Sequence, residues 1–203
     1  MSTPAAPEES AADKVARVLL DLVAQAPASD LRQTHDPRAI AGRMSTVAAV
    51  KAALAAGSLA LPPGPLGWLT VLPELIGVWR LQGKLVADIA RVYGRTEPPT
   101  REQMLYCLFR HSAAQAVRDL VVRAGERVLV RRASARAMQS IARRIGVHVT
   151  ERGISGALAR WVPLVGAVGV GGYAYYDTAR VAATAVALFE AEPVVESEST
   201  QPE

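Results

Sequence analysis

The residues of this chain that could carry chemistry are three histidines, one cysteine and a few acids set among apolar residues, and their spacing is tested first. His35, His111 and His148 are too scattered to give a metal-ligand spacing on one helix. Cys107 is the only cysteine, which excludes an intrachain disulfide and a cysteine-based zinc site. His111 and Ser112 are neighbours, but adjacent residues on a helix point in different directions, and no Gly-x-Ser-x-Gly nucleophile elbow is present. The run Gly166-Ala-Val-Gly-Val-Gly-Gly172 lacks the Lys-Ser/Thr of a phosphate loop and follows Pro163 rather than a strand. No catalytic set emerges, so the expectation is a protein that is not an enzyme and takes no metal or cofactor.

Two further acid groupings concern packing. Glu74 sits among Leu72, Pro73, Leu75 and Ile76. It is either a first-turn carboxylate favoured by the helix dipole or a buried acid paired with an arginine across a bundle, a functional hint in a membrane setting. Asp88 with Arg91 and Asp177 with Arg180 have the i,i+3 spacing of surface salt bridges on helices.

Charge is unevenly distributed. Residues 101–160 hold twelve arginines against four acids, whereas residues 161–203 hold Arg180 against six acids. Arg131, Arg132, Arg136, Arg143 and Arg144 are candidate contacts to an anionic surface; a basic face that is simply solvated is the competing reading. A lipid leaflet requires only charge, while a nucleic-acid module interleaves aromatics or shows a helix-turn-helix. Residues 110–160 contain no aromatic, so nucleic acid is not expected as a partner, and no small-molecule substrate is evident.

These residues are carried by a chain of 203 residues, half of them apolar and only 5% aromatic. Ala, Val, Leu and Gly in that proportion favour close-packed helices over a sheet sandwich. The expectation is an all-α protein, a single helical bundle spanning residues 10–190, with disordered Pro/Ser/Glu tails at 1–9 and 191–203. Met1–Asp13 has no basic stretch followed by an apolar core, so no signal peptide and an intracellular location are expected.

Within the bundle, Ser10–Gln25 predicts a helix with Val15, Val18, Leu19, Leu22 and Val23 on one face. Asp36-Pro37 reads as a cap followed by Pro at the first helical position, opening a helix to about Leu61. A third helix is expected from a Thr70 cap to Tyr93, with Pro73 in its first turn and Gly94 as its left-handed stop. Thr100-Arg-Glu-Gln103 is a capping box. Shorter Arg-rich helices are expected at 112–124, 134–146 and 150–160, broken near Gly125 and Gly146, with Val128-Leu129-Val130 read as helix or loop. The last helix is expected from Pro163 to about Phe189.

Two segments stand out because residues 52–73 and 161–176 carry no charge. A spanning helix needs about 20 uninterrupted apolar residues. The first segment is cut at Pro62-Pro63-Gly64-Pro65 and the second is 16 residues long, so neither is a standard spanning helix. Pro65 and Gly67, like Pro163 and Gly166, set a proline shortly before a glycine, giving two hairpin-like segments, the first about 52–93. Gly166, Gly169 and Gly172 at three-residue spacing make a face without side chains, suited to close helix approach in lipid or in water. Both a tightly packed core pair and a membrane-docked element fit.

The run Leu61-Pro62-Pro63-Gly64, then Leu81-Gln82, then Ile89-Ala90-Arg91-Val92-Tyr93-Gly94, with Trp161-Val162-Pro163-Leu164-Val165-Gly166-Ala167-Val168 and Phe189, resembles the bacterial EcsC family. It also resembles a related helical domain found C-terminal to some bacterial GTPases. The resemblance covers roughly residues 45–190; where EcsC-like sequences often carry an Asn, this chain has Gly171-Gly172-Tyr173. It implies an all-helical, membrane- or transporter-associated protein without established chemistry. The expected function is therefore that of a non-enzymatic bacterial protein at the cytoplasmic side of the membrane. Its partner would be an anionic membrane surface. The alternative is a soluble helical adaptor that uses the same helices as core and binds another protein.

Overall fold

The computed structural model describes residues 10–25, 27–59, 67–124, 127–157 and 163–191. The expected tail at 1–9, that at 191–203 apart from Ala191, which ends a helix, and the turn containing Pro65 lie outside them, as do the surroundings of Gly166 and the side chain of Glu74. The fold is largely all-α, as the composition predicts.

Local signals set most helix starts. Helix α1 (Ala11–Ala24) begins where the Ser10 hydroxyl accepts from the Asp13 amide at 3.1 Å. Helix α2 (Pro37–Leu59) follows Asp36, whose Oδ1 accepts from the Ala39 amide at 3.0 Å. Helix α3 (Gly67–Val92) stops in a Schellman turn: the Arg95 amide donates to Ala90 O and the Gly94 amide to Arg91 O. Gly94 has φ +86° there, a conformation that strains any residue with a Cβ, and the movable end of the Gln33 side chain lies 2.9 Å from where that Cβ would sit. Helix α4 (Arg101–Phe109) carries the reciprocal capping box of Thr100 and Gln103.

The middle of the chain departs from expectation. After the one-turn helix α5 (Ala114–Val117) and a 3-10 turn at Arg118–Leu120 comes a two-stranded antiparallel hairpin. Its strands are β1 (Val121–Ala124) and β2 (Arg127–Val130), with Val121 opposite Val130. A helix over 112–124 and a helix or loop at Val128–Val130 are thus both corrected; β-branched Val121, Val122, Val128 and Val130 flank a two-residue connection and pair instead.

Helix α6 (Ala135–Ala157) runs unbroken through Gly146, where two helices were expected. Gly146 is a contact point rather than a break: a Cβ there would sit 2.3 Å from Ala12 O of α1. In a second correction, α3 starts at Gly67, not after a Thr70 cap, so Pro73 stands inside the helix rather than in its first turn. The bond from residue 73 to the carbonyl four positions earlier is therefore missing. Helix α7 (Pro163–Ala191) begins with Pro163 at its first helical position, and the second apolar segment forms its N-terminal half.

Helices α2, α3 and α7 pack on one another, and α1 packs on α6. Helix α4 sits between the two groups, in contact with α1, α3 and α7. One core joins Leu19, Ile89, Leu105, Leu108, Ile145 and Leu188, and Trp79 meets Phe109 edge-to-face at 5.5 Å. Helices α2 and α7 run antiparallel: Arg38 approaches Glu190 at 3.7 Å near one end, and Ala52 and Ala56 cluster with Ala174 toward the other.

Candidate functional site

The polar residues brought together in the interior are His111, Gln82, Asp177 and Thr178. Gln82 lies midway along α3 and is fully buried; Asp177 and Thr178 lie midway along α7; His111 occupies the turn that ends α4. His111 Nε2 donates to Asp177 Oδ1 at 2.6 Å. Gln82 Nε2 donates to Asp177 Oδ2 at 2.7 Å and to Thr178 Oγ1 at 3.1 Å. Both carboxylate oxygens are thus engaged, by donors from two other elements. The His111 and Asp177 side chains are each 15% exposed, so water screens the contact little.

The sequence reading placed Asp177 in a surface pair with Arg180, and the structure corrects it. Arg180 instead donates to Tyr176 Oη at 2.8 Å and lies over its ring. Asp88 likewise does not pair with Arg91. It accepts from Ser29 Oγ at 2.6 Å and from Lys84, while Arg91 Nε donates to Leu31 O at 2.9 Å. Both groups tie the segment before α2 onto α3.

His111 proves to be a structural centre. A second histidine clamps the same turn, since His148 Nε2 of α6 donates to Ser112 O at 2.6 Å. The junction therefore links α3, the α4 turn, α6 and α7 through five side chains and one carbonyl. Among the described residues two buried polar atoms in it lack a partner, His111 Nδ1 and Gln82 Oε1. With Nε2 donating to a carboxylate, Nδ1 offers a lone pair in the neutral ring and a proton in the imidazolium. The arrangement orients the imidazole and the carboxylate against each other. Among the described residues no group of three or more His, Cys, Asp or Glu is placed to hold a metal ion.

The remaining sequence candidates are dispersed. Arg143 pairs with Asp13 at 3.1 Å and Arg144 with Asp119 at 3.5 Å, while Arg131 Nε donates to Asp119 O at 3.0 Å. Arg132 and Arg136 are exposed, with no such tie among the described residues. Gly169 and Gly172 are exposed, and a Cβ at either would meet nothing within 4 Å, so neither admits a neighbouring backbone. Close approach happens instead at Gly146, which the sequence reading treated as a helix end.

Helix α2 has the opposite character from the junction. It buries Ala41, Ala48, Ala49, Ala52 and Ala56, but exposes Val47, Val50 and Leu54 at 54%, 44% and 69%. At i, i+3 and i+7 these three form one stripe on the side away from Ala52. The stretch Pro37–Ala56 is long and apolar enough to cross a membrane by length and composition, with mean hydropathy 1.3 and 28% of it buried. The sequence reading located its apolar segment farther on, at 52–73. Compared against family models, curated proteins and solved structures, the chain finds no match in any of the three.

Proposed function

We propose that this is a non-enzymatic, EcsC-like helical protein that associates with the cytoplasmic face of a membrane through the outer side of α2. The observation that carries the reading is the stripe of Val47, Val50 and Leu54, apolar and exposed on a helix that is also apolar on its inner side. Arg43 and Lys51 are exposed beside that stripe, so the outer side of α2 joins aliphatic and basic side chains, a pairing suited to the boundary of an anionic membrane. Each aliphatic side chain moved from water into hydrocarbon gains about 1.5–3 kcal/mol. Tyr173 and Tyr176, exposed on the α7 helix that packs beside α2, have the apolar body and polar tip suited to a lipid interface. Arg132 and Arg136 supply charge for an anionic headgroup, each worth about 1 kcal/mol near such a surface.

Flotation of the full chain with phosphatidylcholine–phosphatidylglycerol vesicles tests this. The wild type is expected to float at low salt and to be partly retained at high salt. A Val50→Ser/Leu54→Ser variant, altered only at exposed positions, is expected to stay at the bottom of the gradient with unchanged thermal stability. Wild-type protein wholly in the lower fractions at both salt concentrations would sink the proposal. An Arg132→Glu/Arg136→Glu variant that floats as well as wild type would remove the headgroup role and leave the apolar one.

A further inference from the structure

A cleft of about 500 Å³ opens between the C-terminal half of α1 and the middle of α3, on a different side of α3 from Gln82, and is unrelated to the α2 stripe. Its volume falls within the roughly 300–1,000 Å³ typical of small-molecule sites. Its floor is apolar, formed by Leu22, Ile76, Trp79 and Met104. Two charges of opposite sign stand on the helices that frame it, Asp21 from α1 and Arg80 from α3. Both are exposed, and among the described residues neither is held in an ion pair.

An apolar floor between a carboxylate and a guanidinium defines its ligand by complementarity. We propose that this cleft binds a single-chain amphiphile with a zwitterionic amino-phosphate headgroup. The chain lies on Trp79 and Met104, the phosphate faces Arg80, and the ammonium faces Asp21. Arginine suits phosphate because its planar fork donates two parallel hydrogen bonds to two oxygens. A primary ammonium, unlike a quaternary one, donates hydrogen bonds to a carboxylate. Gly83 lines the cleft: a Cβ there would meet only Met104 Sδ, at 3.8 Å, so a larger side chain would grow into the space the ligand needs. The proposal goes beyond vesicle association, and monomeric ligand tests it, so the two readings fail independently.

Isothermal titration of the full chain with lauroyl lysophosphatidylethanolamine, below its micelle concentration, is the test. Dodecylphosphocholine, dodecanoate and dodecyl maltoside supply the same chain with other heads, and phosphoethanolamine supplies the head without the chain. The lysophosphatidylethanolamine is expected to bind at least about fivefold tighter than any of these. Arg80→Gln and Asp21→Asn should each remove most of that preference while leaving the maltoside unchanged. Gly83→Leu should abolish binding of every chain-bearing probe without lowering the melting temperature, which separates a filled cleft from an unfolded protein. Equal affinity for the maltoside and the zwitterion, or unchanged binding in Gly83→Leu, would overturn the proposal. Binding of phosphoethanolamine as tight as that of the lipid would assign the site to a soluble headgroup and overturn the role of the chain.

Discussion

Helices α2 and α4 share a sequence property and differ in every physical consequence. Neither alternates apolar and polar faces in the way a surface helix does. In α4, Met104 to Phe109 are all buried, and the one charged residue drawn inside, Glu102, accepts a hydrogen bond from the Ala133 amide at 3.0 Å. In α2 the inner alanines are buried and the outer Val47, Val50 and Leu54 face outward. An apolar helix surrounded by its own chain is a core. The same pattern left uncovered marks a surface that water alone does not suit. The contrast extends to polar groups, since the interior around α4 also holds the His111–Asp177–Gln82 junction.

The largest expected effect lies at that junction. Asp177→Ala leaves His111 Nε2 without its acceptor and the Gln82 amide with Thr178 Oγ1 alone, in a site closed to most water. A buried donor that loses its acceptor costs about 1–3 kcal/mol, and two N–H groups lose one here. Urea denaturation of wild type and variant measures it; a loss below 1 kcal/mol would mean that water satisfies the junction and that it is not part of the rigid interior.

The α2–α4 contrast itself is sharpened by a matched pair. Leu105 is fully buried and Leu54 is 69% exposed. Leu105→Ala is expected to cost roughly 2–5 kcal/mol through lost burial and the cavity left behind, and Leu54→Ala less than about 0.5 kcal/mol. Equal losses in urea would show that α2 is covered by the protein after all.

A smaller effect is expected where two helices touch backbone to backbone. Gly146→Ala would place a methyl group 2.3 Å from Ala12 O, which moves only if α1 shifts as a whole. Such overpacking costs about 1–3 kcal/mol and outweighs the gain of about 1 kcal/mol in helix propensity. At Gly172, where a Cβ meets nothing, the same substitution should stabilise by up to about 1 kcal/mol. Thermal melts of both variants with opposite signs are the expected result.

What the sequence made legible follows from range. The caps at Asp36 and Thr100 and the stop at Gly94 depend on hydrogen bonds spanning a few residues, and they stand where the spacing places them. Asp177 meets His111 across 66 positions and Gln82 across 95, so local pairing with Arg180 was the nearest visible alternative. Gly146 was misread for a related reason: within one helix a glycine signals weakness, and only the approach of α1 turns it into a requirement. The β-hairpin was hidden by brevity, its paired strands being four residues each. In α2, composition announced an apolar helix, but which side of it stays uncovered depends on where α3 and α7 pack.

The smallest expected effect sits at the seam where the uncovered layer meets the interior. Tyr93 is buried near Arg38 of α2 and Glu190 of α7, and its hydroxyl has no hydrogen-bond partner among the described residues. Burial pushes its pKa above the ordinary 10.0; the Glu190 and Asp36 charges push the same way, and Arg38 opposes them. A phenol whose pKa is higher folded than unfolded binds its proton more tightly in the native state. Its stabilising contribution is therefore complete below pH 10 and is lost as pH rises through the folded value. Tyr93→Phe removes both the titration and the unpaired hydroxyl, so the variant should be as stable as wild type at pH 7, or slightly more so, and should lose less stability between pH 9 and 11. Urea midpoints at those pH values measure the difference. Parallel alkaline losses in both proteins would show that the phenol reaches water, and that the seam between α2 and the interior is open.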